Sequence, residues 1–137
     1  MQCRQVGYES HEELLKVLHE LHAAMKTSQT YQVECRQAET KLRYVESQRA
    51  KLEASIAKEK LDKSKKFKLI EKEIVKRSNK YNDAHVKALK ARNEYVLCMD
   101  SANAAIHKYF VDDLSDIIDV RCQIAHIISL FISKKFN

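Results

Sequence analysis

The chain has 137 residues, 32% of them charged and 7% aromatic, with no proline, one glycine and no tryptophan. Turns and hairpins depend on the two residue types that are scarce here and helix interiors tolerate neither, so strand-rich and loop-rich folds are excluded and long, exposed helices are expected. A formal net charge of +6 points to an acidic partner, whether nucleic acid, an anionic membrane or an acidic protein, and composition does not choose among them.

Residues 1–9 are short, mixed in character and contain Gly7, and read as a lead-in segment. No apolar secretory stretch follows Met1. Cys3, Cys35, Cys98 and Cys122 are scattered without a CxxC pair, which fits a reduced, cytoplasmic protein whose thiols are small hydrophobes.

Ser10 with Glu13 three positions on, just ahead of Leu14 and Leu15, has the form of a capping box, so a helix is predicted over about 10–60. Along it, apolar or small residues recur at alternating spacings of three and four: Leu14, Leu18, Leu21, Met25, Ser28, Tyr31, Cys35, Ala38, Leu42, Val45, Leu52 and Ile56. Arg49 interrupts this seam, with its aliphatic stem expected to lie along it.

The pattern fades in the charged stretch KEKLDKSKK, and a turn is predicted at about 57–66. A second seam spans a helix over about 67–110: Phe67, Ile70, Ile74, Arg77, Tyr81, Ala84, Ala88, Ala91, Tyr95, Cys98, Ala102, Ala105 and Tyr109. Each helix would be about 65 to 75 Å long at 1.5 Å per residue, and neither buries its stripe alone. The predicted fold is therefore all-α, a long antiparallel helical hairpin of coiled-coil type, with Leu14 brought near Phe110 and Ile56 near Phe67.

Far from the turn the apolar stripes broaden. Leu14, Leu18, Leu21 and Met25 on one helix, with Tyr95, Ala102, Ile106, Tyr109 and Phe110 on the other, are candidates for helix packing in a larger bundle or for a dimer interface, because a broad stripe needs more than one partner. Asp112 and Asp113 suit the cap of a short third helix starting at about 113. Its Ile117, Ile124, Ile127, Ile128, Phe131 and Ile132 share a face, but the uninterrupted apolar run falls far short of the ~20 residues of a membrane span.

The charge excess is local. Lys58, Lys60, Lys63, Lys65, Lys66, Lys68, Lys72, Lys76, Arg77 and Lys80 face only Glu59, Asp62, Glu71 and Glu73, and the rest of the chain carries fifteen charges of each sign. A solvated tip is the bland reading. The functional one is electrostatic binding to an anionic phospholipid membrane, where each such residue near the surface contributes roughly 1 kcal/mol. Nucleic acid is the weaker candidate, since only Phe67 and Tyr81 offer stacking surfaces and no reading motif is present.

His19 and His22 in HELH superficially look like a zinc-protease site, but that chemistry needs histidines four apart with a glutamate after the first. They read as polar-face residues, and no metal or cofactor is expected. With no glycine-rich phosphate loop and no nucleophile near a base, no enzymatic activity is expected either.

The stretches YESHEELLKVLHELHAAMKT at 8–27 and KARNEYVLCMDSANAAIHKYFVDDLSDIID at 90–119 resemble the F-BAR domain of SLIT-ROBO Rho GTPase-activating proteins. The KARNEY run is similar to what F-BAR domains more widely carry on a long central helix, whereas residues 28–89 match in helical character more than in identity. The resemblance implies a partial F-BAR domain over 10–119. It further implies a homodimer whose body combines helices of both chains, arms presenting basic residues to phosphoinositide or phosphatidylserine membranes, and peripheral work at the plasma membrane in protrusion, cell migration and neuronal morphology. Residues 120–137, VRCQIAHIISLFISKKFN, read as a divergent C-terminal helix or tail, which suggests a fragment, a splice form or a truncated gene product. The alternative to the membrane-binding module is a truncated protein-interaction element that pairs with a longer F-BAR relative as a heterodimer and modulates it without binding membranes itself.

Overall fold

Nothing between residues 2 and 55 is able to stop a helix. Gly7 costs about 1 kcal/mol relative to alanine in a helix interior, too little to end a run that contains no proline. In the computed structural model, which describes residues 2–136 apart from the side chains of residues 2–7, 10, 113, 135 and 136, helix α1 accordingly runs unbroken over Gln2–Ser55. It begins ahead of Ser10, so residues 2–9 are helical and not a lead-in. The Ser10 side chain, on which the expected cap depends, lies outside the described residues.

The chain then reverses without help from glycine. Ile56 still donates to the Leu52 carbonyl at 3.1 Å, and Ala57 takes an extended conformation with ψ 139°. The Ala57 carbonyl accepts from Lys60 and Leu61 at 2.8 and 3.3 Å, starting the single turn α2, Lys58–Leu61. Ser64 opens helix α3, Lys65–His107: its hydroxyl accepts the Phe67 N–H at 3.4 Å and its carbonyl the Lys68 N–H at 3.3 Å. No described residue has a positive φ. The reversal falls in the window 57–66 where the seams fade.

Helix α3 does not end at Phe110. Lys108–Asp113 is a π-helical segment, in which Leu114 donates to the Tyr109 carbonyl, and α4, Leu114–Phe136, follows directly. The fresh cap expected at Asp112 and Asp113 is absent as a helix start, because His107 and Leu114 both keep right-handed helical backbone; the Asp113 side chain is outside the described residues. A π turn inserts one residue, and at 3.6 residues per turn this rotates the later apolar stripe by roughly 100°. The fold is all-α, a helical hairpin, as the spacing predicts.

Two compact units make up the chain: residues 24–95, and residues 1–23 with 96–137. In the first, Ser28, Val45, Leu61, Phe67, Ala88 and Ala91 are buried. In the second Ala102 is buried, and Leu14, Leu21, Ile106 and Tyr109 are half-buried. Every predicted seam residue is buried or half-buried except Leu18. No large side chain among the described residues is completely buried, so the seam relies on close approach of small residues.

Contacts across the hairpin fix its register. Cys35 Sγ lies 3.9 Å from His85 Nδ1, and Arg49 Nη2 lies 3.6 Å from Glu71 Oε1. In the other unit Lys108 Nζ is 3.8 Å from Glu13 Oε2, and the His11 and Tyr109 rings are 6.5 Å apart. In each unit the paired numbers sum to 120 or 121. That is about one helical turn away from the Leu14 with Phe110 alignment, because the turn is built around residue 60 with α2 inserted in it. At this register Leu14 is level with Ile106, and Phe110 stays 56% exposed.

Candidate functional site

The turn and the start of α3 carry the basic cluster. Lys58, Lys60, Lys63, Lys65, Lys66, Lys68, Lys72, Lys76 and Lys80 are all exposed, and none forms an ion pair among the described residues. Arg77 differs from the rest. It lies half-buried in the seam with Nε 2.8 Å from Glu73 Oε1, yet its N–H makes no hydrogen bond, so that contact is Coulombic and not an aligned bond.

Helix electrostatics do not explain these lysines. The first turn of α3 holds Lys65 and Lys66 and no acid, and the last turn of α1 holds no base. Cations at a helix N-terminus oppose the macrodipole, at a cost of about 0.3–1 kcal/mol each. The arrangement weakens the helix start and strengthens the local positive potential.

Under the lysines the turn is held by a small plug. Leu61 and Phe67 are buried, with the Arg49 guanidinium 5.7 Å from the Phe67 ring centroid. Arg49 also pairs with Glu53 one turn along α1, Nε to Oε1 at 3.1 Å, as well as with Glu71 on α3. The residue that interrupts the seam therefore joins both helices and caps the aromatic ring, which goes beyond lying passively along the seam.

A cleft of about 170 Å³ opens along the hairpin, lined by Glu34, Gln37, Ala38 and Lys41 of α1 and by Arg77 and Lys80 of α3. Arg77 and Lys80 belong to the predicted basic set. Lys41 lies outside the window 58–80 and joins them only through the antiparallel register. A shift of that register by about one turn would have been enough to miss it.

The second surface lies in the other unit. All residues from Arg121 to Lys134 are exposed, including Ile124, Ile127, Ile128, Leu130, Phe131 and Ile132. Leu15, Leu18, Phe110, Val111 and Ile118 add further exposed apolar area. Of the predicted packing residues, Ala102 is buried, Leu14, Leu21, Met25, Tyr95, Ile106 and Tyr109 are half-buried, and Leu18 and Phe110 are exposed. Tyr109 and Phe110 meet edge to face with centroids 5.1 Å apart. An apolar face on this scale is far more than scattered surface hydrophobics.

His19 and His22 are exposed, and no group of three or more potential ligands able to hold a metal exists among the described residues. No helix among them is long and apolar enough to cross a membrane. The Tyr8 phenol, outside both surfaces, is held above its ordinary 10.0 by a hydrogen bond to Glu12 and by that carboxylate's charge.

No protein-family model matches the chain. It is 35% identical over 148 aligned positions to SLIT-ROBO Rho GTPase-activating protein 1 of Homo sapiens, a match covering 98% of the chain and 14% of that protein. It is 34% identical to SLIT-ROBO Rho GTPase-activating protein 2 of Danio rerio, again over 98% of the chain and 14% of the relative. Human Rho GTPase-activating protein 4 is 35% identical over 85% of the chain. The chain is thus homologous to an N-terminal region of these proteins and spans 14% of the length of the SLIT-ROBO relatives. Coverage of 98% carries the match into residues 120–137, which on sequence reading stand apart as divergent.

Proposed function

Starting from homology with the SLIT-ROBO Rho GTPase-activating proteins, we propose that this chain is a non-catalytic F-BAR-type module that dimerises and binds anionic phospholipid membranes at the cytoplasmic side of the plasma membrane. Nine exposed lysines without ion-pair partners among the described residues, spread over the turn and the start of α3 from Lys58 to Lys80, are the observation that carries the reading. Charges paired within the protein would have little attraction left for a surface. Unpaired ones each add roughly 1 kcal/mol beside anionic lipid, and the sum is screened by salt.

The names of the relatives describe them as activators of Rho GTPases. In this reading the chain serves the same signalling without performing that step, in membrane protrusion, cell migration and neuronal morphology. Cosedimentation with vesicles is the test. Binding to phosphatidylserine-rich vesicles at low salt should greatly exceed binding to neutral ones, and equal binding to both would end the lipid role.

One observation favours a second reading. The apolar face of α4 is uncovered, as suits a chain that pairs with a longer F-BAR relative and modulates it without productive membrane contact. Coexpression with a full-length relative and a mixed pull-down separate the two, since this alternative requires a heteromer.

A further inference from the structure

No nucleophile stands near a base along the sequence, but folding brings one there. Cys35 of α1 and His85 of α3 are 50 positions apart, yet Cys35 Sγ lies 3.9 Å from His85 Nδ1 across the hairpin, within hydrogen-bonding reach of a sulfur atom. Tyr81, one turn earlier on α3, stacks on the imidazole with ring centroids 5.7 Å apart and planes 24° from parallel, which steadies the ring. Cys35 is half-buried, so its sulfur is not sealed within the seam.

Both residues line a cleft of about 190 Å³, together with Arg36 of α1 and Arg92 of α3 and with no carboxylate. Neither arginine has an ion-pair partner among the described residues. Two guanidinium groups left unneutralised attract an anionic reagent and offer forks that fit its carboxylates. The volume is below the ~300–1,000 Å³ typical of sites for drug-sized molecules, so the cleft takes one end of a small anion and leaves the rest in water.

We propose that Cys35 is a thiol-modification site for low-molecular-weight anionic disulfides of the glutathione type, with His85 as proton carrier and Arg36 and Arg92 as anchors for the reagent's carboxylates. The Cys35 proton passes to His85, and the sulfur then attacks one sulfur of the bound disulfide. A new disulfide bond to Cys35 forms as the reagent's own S–S bond breaks. The departing thiolate takes the proton from His85. One thiol and one disulfide thus give one mixed disulfide and one thiol, with no further oxidant or reductant, and a reducing thiol reverses the exchange. None of these four residues belongs to the basic window 58–80, so the site stands apart from the membrane reading.

The test exposes the reduced full chain to glutathione disulfide or to neutral 2-hydroxyethyl disulfide for timed intervals and maps the modified peptides by mass spectrometry. Half-buried Cys98 and exposed Cys122 are free thiols in the same chain and serve as references. The rate ratio of anionic over neutral reagent should be at least about fivefold higher at Cys35 than at either reference, because only the cleft concentrates the anion. Exposure alone would favour Cys122 with both reagents.

Substitutions separate the roles. Arg36→Gln and Arg92→Gln should each lower the Cys35 ratio about two- to fivefold, as for loss of one surface charge interaction, and leave the neutral reagent within about twofold. His85→Gln should slow both reagents at Cys35 at least about tenfold. Lys90→Gln removes an exposed cation of α3 that does not line the cleft and should leave the ratio within about twofold of the original. Arg36, His85 and Arg92 are exposed, so these changes spare the seam, and circular dichroism checks that the helices persist. An equal ratio at all three thiols, a Lys90→Gln effect as large as that of Arg92→Gln, or Cys35 modification unchanged by His85→Gln overturns the proposal.

Discussion

Arg49 of α1 and Glu71 of α3 are joined across the hairpin, Nη2 to Oε1 at 3.6 Å, at the one position of the first seam that is charged. Both side chains are nearly half exposed, so the pair itself contributes about 0–1 kcal/mol, with a similar amount from the guanidinium over Phe67. Arg49→Gln should therefore lower stability by about 1 kcal/mol in urea unfolding, and the deficit should shrink in high salt. Arg49→Leu restores an unbroken seam and should recover most of the loss. Equal destabilisation by both substitutions would show that the charge is not replaceable by packing.

Ser64 caps α3 through a 3.4 Å hydrogen bond, at the long end for such a contact. Ser64→Ala is expected to cost about 0.5–1 kcal/mol, and Ser64→Asp to restore or exceed the original stability, since a carboxylate also suits the helix N-terminus beside Lys65 and Lys66. Hydrogen exchange read at the Phe67 and Lys68 amides should quicken in the alanine variant. Unchanged exchange there would mean that the cap is not formed in solution.

Ala102 is 1% exposed, the most buried of the core residues. Ala102→Leu forces extra carbons into a filled site and should cost about 1–3 kcal/mol. Ala102→Gly should cost about 1 kcal/mol from helix propensity alone. Thermal melting reads both losses, with Ala104→Leu as the control: Ala104 is exposed, so the same enlargement there is expected to be nearly silent. Equal melting temperatures for the two leucine variants would show that the site around Ala102 is not filled.

Ile127 and Phe131 stand one turn apart on α4, 64% and 69% exposed. If that face is a dimer interface, Ile127→Glu and Phe131→Glu should each weaken self-association at least about tenfold in sedimentation equilibrium, given the ~1.5–3 kcal/mol of burying such side chains. Because neither side chain is buried within the chain, helicity of the monomer should not fall. A dimer that persists in both variants would place the interface elsewhere.

Vesicle binding should fall with salt, and reversing Lys58, Lys63 and Lys66 together to glutamate should remove it. These three are exposed and outside the cleft beside Arg77, so the triple variant reads the surface attraction at the turn. A loss on the order of 3 kcal/mol or more is expected from the removed cations. Undiminished binding would relocate the membrane contact to another part of the chain.

Much of this fold is legible along the chain because helix periodicity is local. Positions such as Val45, Ala88 and Ala91 reveal their buried face by three and four spacing with neighbours a turn away, and the loss of that spacing in KEKLDKSKK marks the reversal. Helix ends are less legible. Ser10 has the form of a cap but lies within α1, since no breaker precedes it, whereas Ser64, which does cap a helix, lacks the following glutamate that would announce it. The π turn at Lys108–Asp113 has no residue signature here, and Asp112 and Asp113 imitate a helix start instead.

The order of residues alone is enough to make the chain helical, to choose the faces on which α1 and α3 meet, and to place the surplus positive charge in residues 58–80, over the turn and the start of α3. Register is a property of the folded hairpin, and with it come the meeting of Lys41 with Arg77 and Lys80 and that of Arg49 with Glu71. A repeat of three and four residues is satisfied equally by sliding one helix a whole heptad past the other, so periodicity names a face without naming a partner. The turn at residues 56–64 removes that freedom, because its bonded geometry ties the end of one helix to the start of the next.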